Sequence, residues 1–265
     1  MHGDPIHYAR ALAMQVDTFA RLGDIKNALS THFKLREVYQ PDDHSDGICH
    51  AYGSDRAAQS ISMSALWLVE VGNTHEALST CDLVICDLIP KMEPRNVHNS
   101  FVMLFPIIWV LKDNGMALRA KDSFETHVVN AFQEYFGDGA FTFFLPLYDP
   151  IVMLMDLYGN QDDEVEDFEV YLSWGLCEDK LRFGEQLNNV MINFGRNMDS
   201  ISAEICLLLA KRVNCASKKK KLIKAGLALG EEAVEMSRRL KSYPCLRRTL
   251  PILRELERIV QDEDY

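Results

Sequence analysis

With 265 residues, 48% of them apolar and 25% charged, the chain has the composition of an ordinary folded protein rather than of a disordered or fibrous polymer. Its formal charge of −11, from 28 Lys and Arg against 39 Asp and Glu, argues against a nucleic-acid backbone as partner. No segment reaches the roughly 18 apolar residues of a membrane helix, since the best candidate, residues 101–111, is short and carries Pro106, so no membrane role is expected.

Taken in chain order, residues 7–22 and 24–40 read as a helical hairpin turning at Gly23, with Phe19, Ala28 and Leu35 facing inward. Residues 42–49 read as a polar loop, part of a longer connection over residues 40–53. Residues 55–71 form the next helix, in which Ala57, Ile61, Ala65 and Leu68 recur at intervals of three and four. Gly72 closes it, Asn73 caps the helix that follows, and Pro90 stops that helix. A third hairpin has its first helix over residues 99–114, a kink expected at Pro106, a turn at Gly115, and Ala120 and Phe124 packed inside. A break falls at residues 134–140. A fourth, distorted unit starts near residue 146, turns at Gly159 and carries Glu164 where a small residue is expected. Residues 181–194 and 200–213 read as another hairpin. Helices over residues 218–240 and 244–260 and an acidic tail end the chain.

Two of these units are copies. RLGDIKNALST, residues 21–31, superposes on EVGNTHEALST, residues 70–80, matching Gly23 with Gly72, Ala28 with Ala77 and, farther on, Pro41 with Pro90, at a spacing of about 49 residues. Glycine closes one helix, and a small residue five positions later lets the second helix approach the first. The expected fold is all-α, about twelve helices stacked as antiparallel pairs in one domain over residues 1–265. The clearest repeats are 5–41, 54–90 and 97–130, with degenerate repeats over 144–265.

This glycine, alanine and proline pattern resembles the tetratricopeptide (TPR) repeat, and the resemblance implies a TPR-like α-solenoid. A longer string, Tyr39, Pro41, His44, Tyr52, Gly53, Asp55, Ala65, Leu66, Trp67, Gly72, Ala77 and Leu78, is similar in order to the TPR region of class III adenylyl/guanylyl cyclase and AAA-type ATPase fusion proteins. That resemblance covers residues 5–125 and fades beyond Gly159. It implies a groove lined by the first helices of successive repeats, where Ser62, Glu70, Phe105, Trp109, Lys112, Met153 and Asp156 would face a protein or peptide partner. The basic and asparagine clamp by which some TPR modules hold a peptide carboxylate is missing at the corresponding positions.

Motifs for chemistry fail position by position. His75-Glu76 opens like a zinc-protease pattern, but Ser79 stands where a second histidine is required. Gly137, Asp138 and Gly139 open like a dinucleotide fingerprint, yet Thr142 replaces its third glycine. There is no phosphate-binding G-x-x-x-x-G-K-[ST] loop and no G-x-S-x-G elbow. His44, Cys49 and His50 offer three ligand types within seven residues, one short of a structural zinc set, and capping of the next helix by Ser54 or Asp55 is the plainer reading. No catalytic residue, metal or cofactor is therefore expected. The seven cysteines, an odd number, read as buried reduced thiols. With no signal-peptide pattern at the start, a cytoplasmic setting is expected.

Charge is uneven: between Lys211 and Arg258 there are fourteen Lys and Arg against five Glu. Lys218, Lys219, Lys220 and Lys221 read as a solvated helix start able to dock on an acidic surface, and Gly226 and Gly230 imply a close helix contact. The expected function is a non-catalytic protein–protein interaction module, a scaffold or regulatory region related to nucleotide cyclase/ATPase signalling proteins. The alternative is an enzyme whose site is dispersed over the helices.

Overall fold

A computed structural model describes residues 4–92, 97–131, 133–134, 145–160, 168–177 and 196–263. Among these residues the chain is helical without a strand, and contacts gather into two compact units, Met1–Phe141 and Thr142–Tyr265. The break expected at residues 134–140, except for Glu134, and also Glu164 and the helix expected over residues 181–194, lie outside the described residues.

In the first unit, α1 (Pro5–Arg21) packs on α2 (Ile25–Val38), α4 (Arg56–Glu70) on α5 (Thr74–Leu83), and α6 (Val97–Asp113) on α7 (Ala117–Phe124). Each pair turns at a glycine in the left-handed region, Gly23 at φ 78°, Gly72 at 79° and Gly115 at 76°, where a Cβ would be strained. Asp24 and Asn73 then cap the second helices by accepting from the backbone N–H of Asn27 and Glu76. Ala28, Ala77 and Ala120 are completely buried at the helix contacts. Successive pairs are joined through their first helices, α1 against α4 and α4 against α6. The second helices of the latter two pairs run on into single π-helical stretches, Val84–Leu88 and Glu125–Asn130, and Pro90 lies in the turn beyond the first of these. Arg36 on α2 pairs with Glu76 on α5 at 2.6 Å.

Ala77→Leu is expected to destabilise the first unit by about 1–3 kcal/mol, because a closed helix contact has no room for three more carbons. Chemical denaturation reads this directly; an unchanged midpoint would mean that the contact yields freely.

The polar loop expected over residues 42–49 is instead a helix, α3 (Pro41–Tyr52). Pro41 occupies its first turn, where a missing N–H costs nothing, Asp42 and Asp43 complement the helix dipole, and Gly53 ends it at φ 76°. The residues that carry the family resemblance are the joints of this segment. His44 Nδ1 accepts from the Gln40 N–H at 3.1 Å, Tyr39 donates its hydroxyl to Asp55 at 2.6 Å, and Asp55 caps α4 by accepting from the Ala58 N–H. The Arg10 guanidinium lies 3.4 Å above the Tyr52 ring, fixing α1 against α3. His44 and Cys49 thus belong to one helix rather than to a metal-binding loop, and no cluster of three potential metal ligands occurs among the described residues.

The second unit contains α8 (Leu145–Gly159), α9 (Phe168–Gly175), α10 (Met198–Arg212), α11 (Ala216–Arg239) and α12 (Tyr243–Glu263). Helix α10 is central to it, contacting α8, α9, α11 and α12, and every residue from Met198 to Leu207 is buried. The two glycines expected to mark a close approach do so. A Cβ on Gly226 would stand 3.1 Å from Cys206 Cβ and from a Leu256 methyl, and one on Gly230 would stand 3.1 Å from a Leu253 methyl. Part of the expected acidic tail is helical, since α12 runs to Glu263.

All the described cysteines are free thiols, but burial holds only for Cys81, Cys206 and Cys245; Cys86 and Cys215 are exposed. Low-dielectric surroundings push the Cys81 and Cys206 thiols up to about 12, so neither offers a thiolate at neutral pH.

Candidate functional site

The residues expected to face a partner are, with one exception, inside the units that contain them. In the first unit Phe105 and Trp109 are both 0% exposed, packed edge to face with ring centroids 5.1 Å apart. Phe101 lies against both Phe105 and Phe124. Ser62 is buried and donates its hydroxyl to the Met103 carbonyl, tying α4 to α6. Lys112 is buried with its ammonium 3.2 Å from the Asp113 carboxylate. Glu70, half-buried at the end of α4, is the exception. In the second unit Met153 is buried on α8, and Asp156 accepts the Tyr171 hydroxyl at 2.7 Å across to α9. These contacts correct the surface role expected for Ser62, Phe105, Trp109, Lys112, Met153 and Asp156. The physical reason is that α6 and α8 are apolar around most of their circumference, so the face assigned to a groove is covered by neighbouring helices.

The second unit holds a buried polar cluster that sequence reasoning did not find. Glu204, on the central helix, has its carboxylate held from two sides: the Tyr158 hydroxyl donates to Oε1 and the Arg196 guanidinium to Oε2. Both members of the ion pair are buried, Arg196 at 1% and Glu204 at 3% exposure. Arg196 Nε reaches Ser200 Oγ at 3.3 Å, and Ser200 in turn donates to the Asn197 carbonyl while its N–H bonds the Asn197 side chain, capping α10. Arg212 donates to the Leu157 carbonyl at 2.5 Å. The Glu204 carboxylate is satisfied by charge-assisted bonds from two sides, which in a low-dielectric interior makes a rigid assembly. No periodicity signals it, since Asp199, Ser200, Ser202 and Glu204 are spread around the helix rather than gathered on one side.

The first unit has its own buried titratable group. His32 is fully buried, its Nε2 lies 3.2 Å from Ser64 Oγ, and Ser64 donates its hydroxyl to the Ile61 carbonyl, so the histidine supplies the N–H of their bond. Its Nδ1 is buried without a hydrogen-bond partner. A proton there would be an unsatisfied cation, and burial, reinforced by nearby Arg36, lowers this group from its ordinary 6.5 to about 3. The unfolded chain therefore binds a proton between about pH 6.5 and pH 3 that the folded chain refuses. Stability from this group is fully present above about 6.5 and falls with decreasing pH by up to about 1.4 kcal/mol per unit. His32→Gln should flatten the stability profile between about pH 6 and pH 4 relative to wild type; parallel profiles would remove His32 from this role.

At the surface, Glu255 is the hub of an exposed network, held down to about 2 by hydrogen bonds from Arg258 and Lys211. Arg258 also reaches Asp262 at 2.9 Å. No helix among the described residues is long and apolar enough to cross a membrane.

No family profile, curated protein or solved structure matches this chain.

Proposed function

We propose that the chain is a non-catalytic protein–protein interaction module, a TPR-like α-solenoid of antiparallel helix pairs acting as a scaffold or regulatory region related to nucleotide cyclase/ATPase signalling proteins. The observation that carries this reading is the threefold recurrence of one joint: Gly23, Gly72 and Gly115 in the left-handed region, each followed five positions on by a completely buried alanine. Proteins built from such repeated hairpins display long surfaces suited to polypeptides. The burial of Phe105 and Trp109 moves any partner away from those side chains. Among the exposed apolar residues, Leu22 and Val71 stand at equivalent places before Gly23 and Gly72, with Glu70 next to Val71, and these are the proposed contacts. Apolar residues at equivalent turns give a partner successive anchor points.

An enzyme with a dispersed site is the second reading, and the Arg196, Glu204 and Tyr158 cluster favours it, because buried ionised groups gather at active sites. The test separates the two. A partner captured from lysate, then purified, should bind the full chain saturably and lose affinity with Leu22→Ser and Val71→Ser together, while the purified chain neither hydrolyses nor cyclises nucleotides. Turnover that survives stringent purification and vanishes in a Glu204→Gln chain whose circular dichroism shows it still folded would replace the first reading with the second.

A further inference from the structure

The outer face of α11 carries its charge in blocks. At about 100° per residue, Lys220, Lys221, Lys224, Glu231, Glu232 and Glu235 fall on one side of the helix, and all six are exposed. The opposite side, with Leu222, Ile223, Gly226, Leu229, Gly230 and Ala233, is buried. Within the exposed face, like charges stand one turn apart, Lys220 with Lys224 and Glu231 with Glu235, which disfavours an isolated helix, while Glu235 also has the exposed Arg238 and Arg239 one turn on. Among the described residues, Lys220, Lys221, Lys224, Glu231 and Glu235 have no ion-pair partner, whereas Lys211, Arg258, Glu255 and Asp262 in the same unit are paired.

The blocks are self-complementary. Lys224 and Glu231 are equally far from the midpoint between Leu227 and Ala228, and so are Lys220 and Glu235. We propose that the outer face of α11 is the contact of a homodimer in which two copies cross antiparallel about a twofold axis beside Leu227 and Ala228. In that arrangement Lys224 of each copy meets Glu231 of the other and Lys220 meets Glu235. The twofold makes every such pair occur twice, as an isologous contact requires. Leu227 and Ala228, both half-exposed, form the apolar centre. A short acidic peptide would match the lysine block and be repelled by the glutamates; only a second copy matches both in register. From Lys220 to Glu235 the contact runs about 22 Å along the helix. This is a small interface, so the dimer is weak, concentration-dependent and sensitive to salt.

Sedimentation of the full-length chain tests it. At an ionic strength of about 0.01 M, where the Debye length is about 30 Å, a concentration-dependent dimer is expected, and at about 1 M it should dissociate. Lys224→Glu and Glu231→Lys should each weaken dimerisation about tenfold or more, since each turns two symmetry-related attractions into repulsions. The double variant Lys224→Glu with Glu231→Lys exchanges the signs and should dimerise like wild type. All three changes are on exposed positions, and an unchanged thermal midpoint shows that folding is intact. A chain that stays monomeric at low salt at every concentration overturns the proposal. So does a dimer indifferent to the single changes, or a double variant that remains monomeric.

Discussion

Trp109→Ala is expected to cost the first unit about 3–5 kcal/mol, enough to remove a large part of the stability of an ordinary domain. Trp109 is 0% exposed, and its ring meets Phe105 edge to face at 83° in a run of buried residues from Val102 to Lys112. Alanine would leave a cavity the size of the indole between helices whose other contacts are already closed, and α6 cannot collapse into it without parting from α4, α5 and α7 at once. Urea denaturation followed by circular dichroism measures the loss. Trp109→Phe, which keeps most of the volume, should recover more than half of it. If Trp109→Ala shifts stability by less than about 1 kcal/mol, the side chain is not a core residue and the groove assignment returns.

The second large effect belongs to Glu204. Glu204→Gln leaves the Arg196 guanidinium buried beside a neutral amide, and losing one partner of a buried pair costs about 3–5 kcal/mol. Replacing both, Arg196→Met with Glu204→Leu, removes the two charges together and should be less damaging than either single change. Tyr158→Phe, which deletes one neutral donor to the same carboxylate, should cost about 1–2 kcal/mol. A double variant as unstable as the sum of the singles would mean that the two groups act independently and that the geometry of the cluster is not what holds it.

The parts of the fold legible in sequence are those governed by neighbours in the chain. Gly23, Gly72 and Gly115 could be assigned to turns because only glycine takes the left-handed backbone without strain. Asn73 and Asp55 could be assigned to caps because a short acceptor side chain reaches a backbone N–H two or three residues on. Helix α3 shows the same logic applied incompletely: Pro41, Asp42, Asp43 and Gly53 are start and stop signals, but the polar run between them outweighed them as a loop. With α6 the signal was present and misassigned, since a helix apolar on every side belongs inside a protein rather than along a groove.

The amino-acid sequence by itself determined the helical character, the positions of the three glycine turns, the buried alanines beside them and the close approach at Gly226 and Gly230, because these follow from backbone sterics and side-chain volume. Tertiary structure alone decided which polar side chains are inside. Glu204, Ser200 and Ser202 are of residue types usually left in water, yet α10 is enclosed by α8, α9, α11 and α12, and the partners that make burial of a carboxylate tolerable come from Tyr158, 46 residues away, and from Arg196 just before the helix. Burial of charge depends on partners brought together in space, and no local pattern along the chain encodes them.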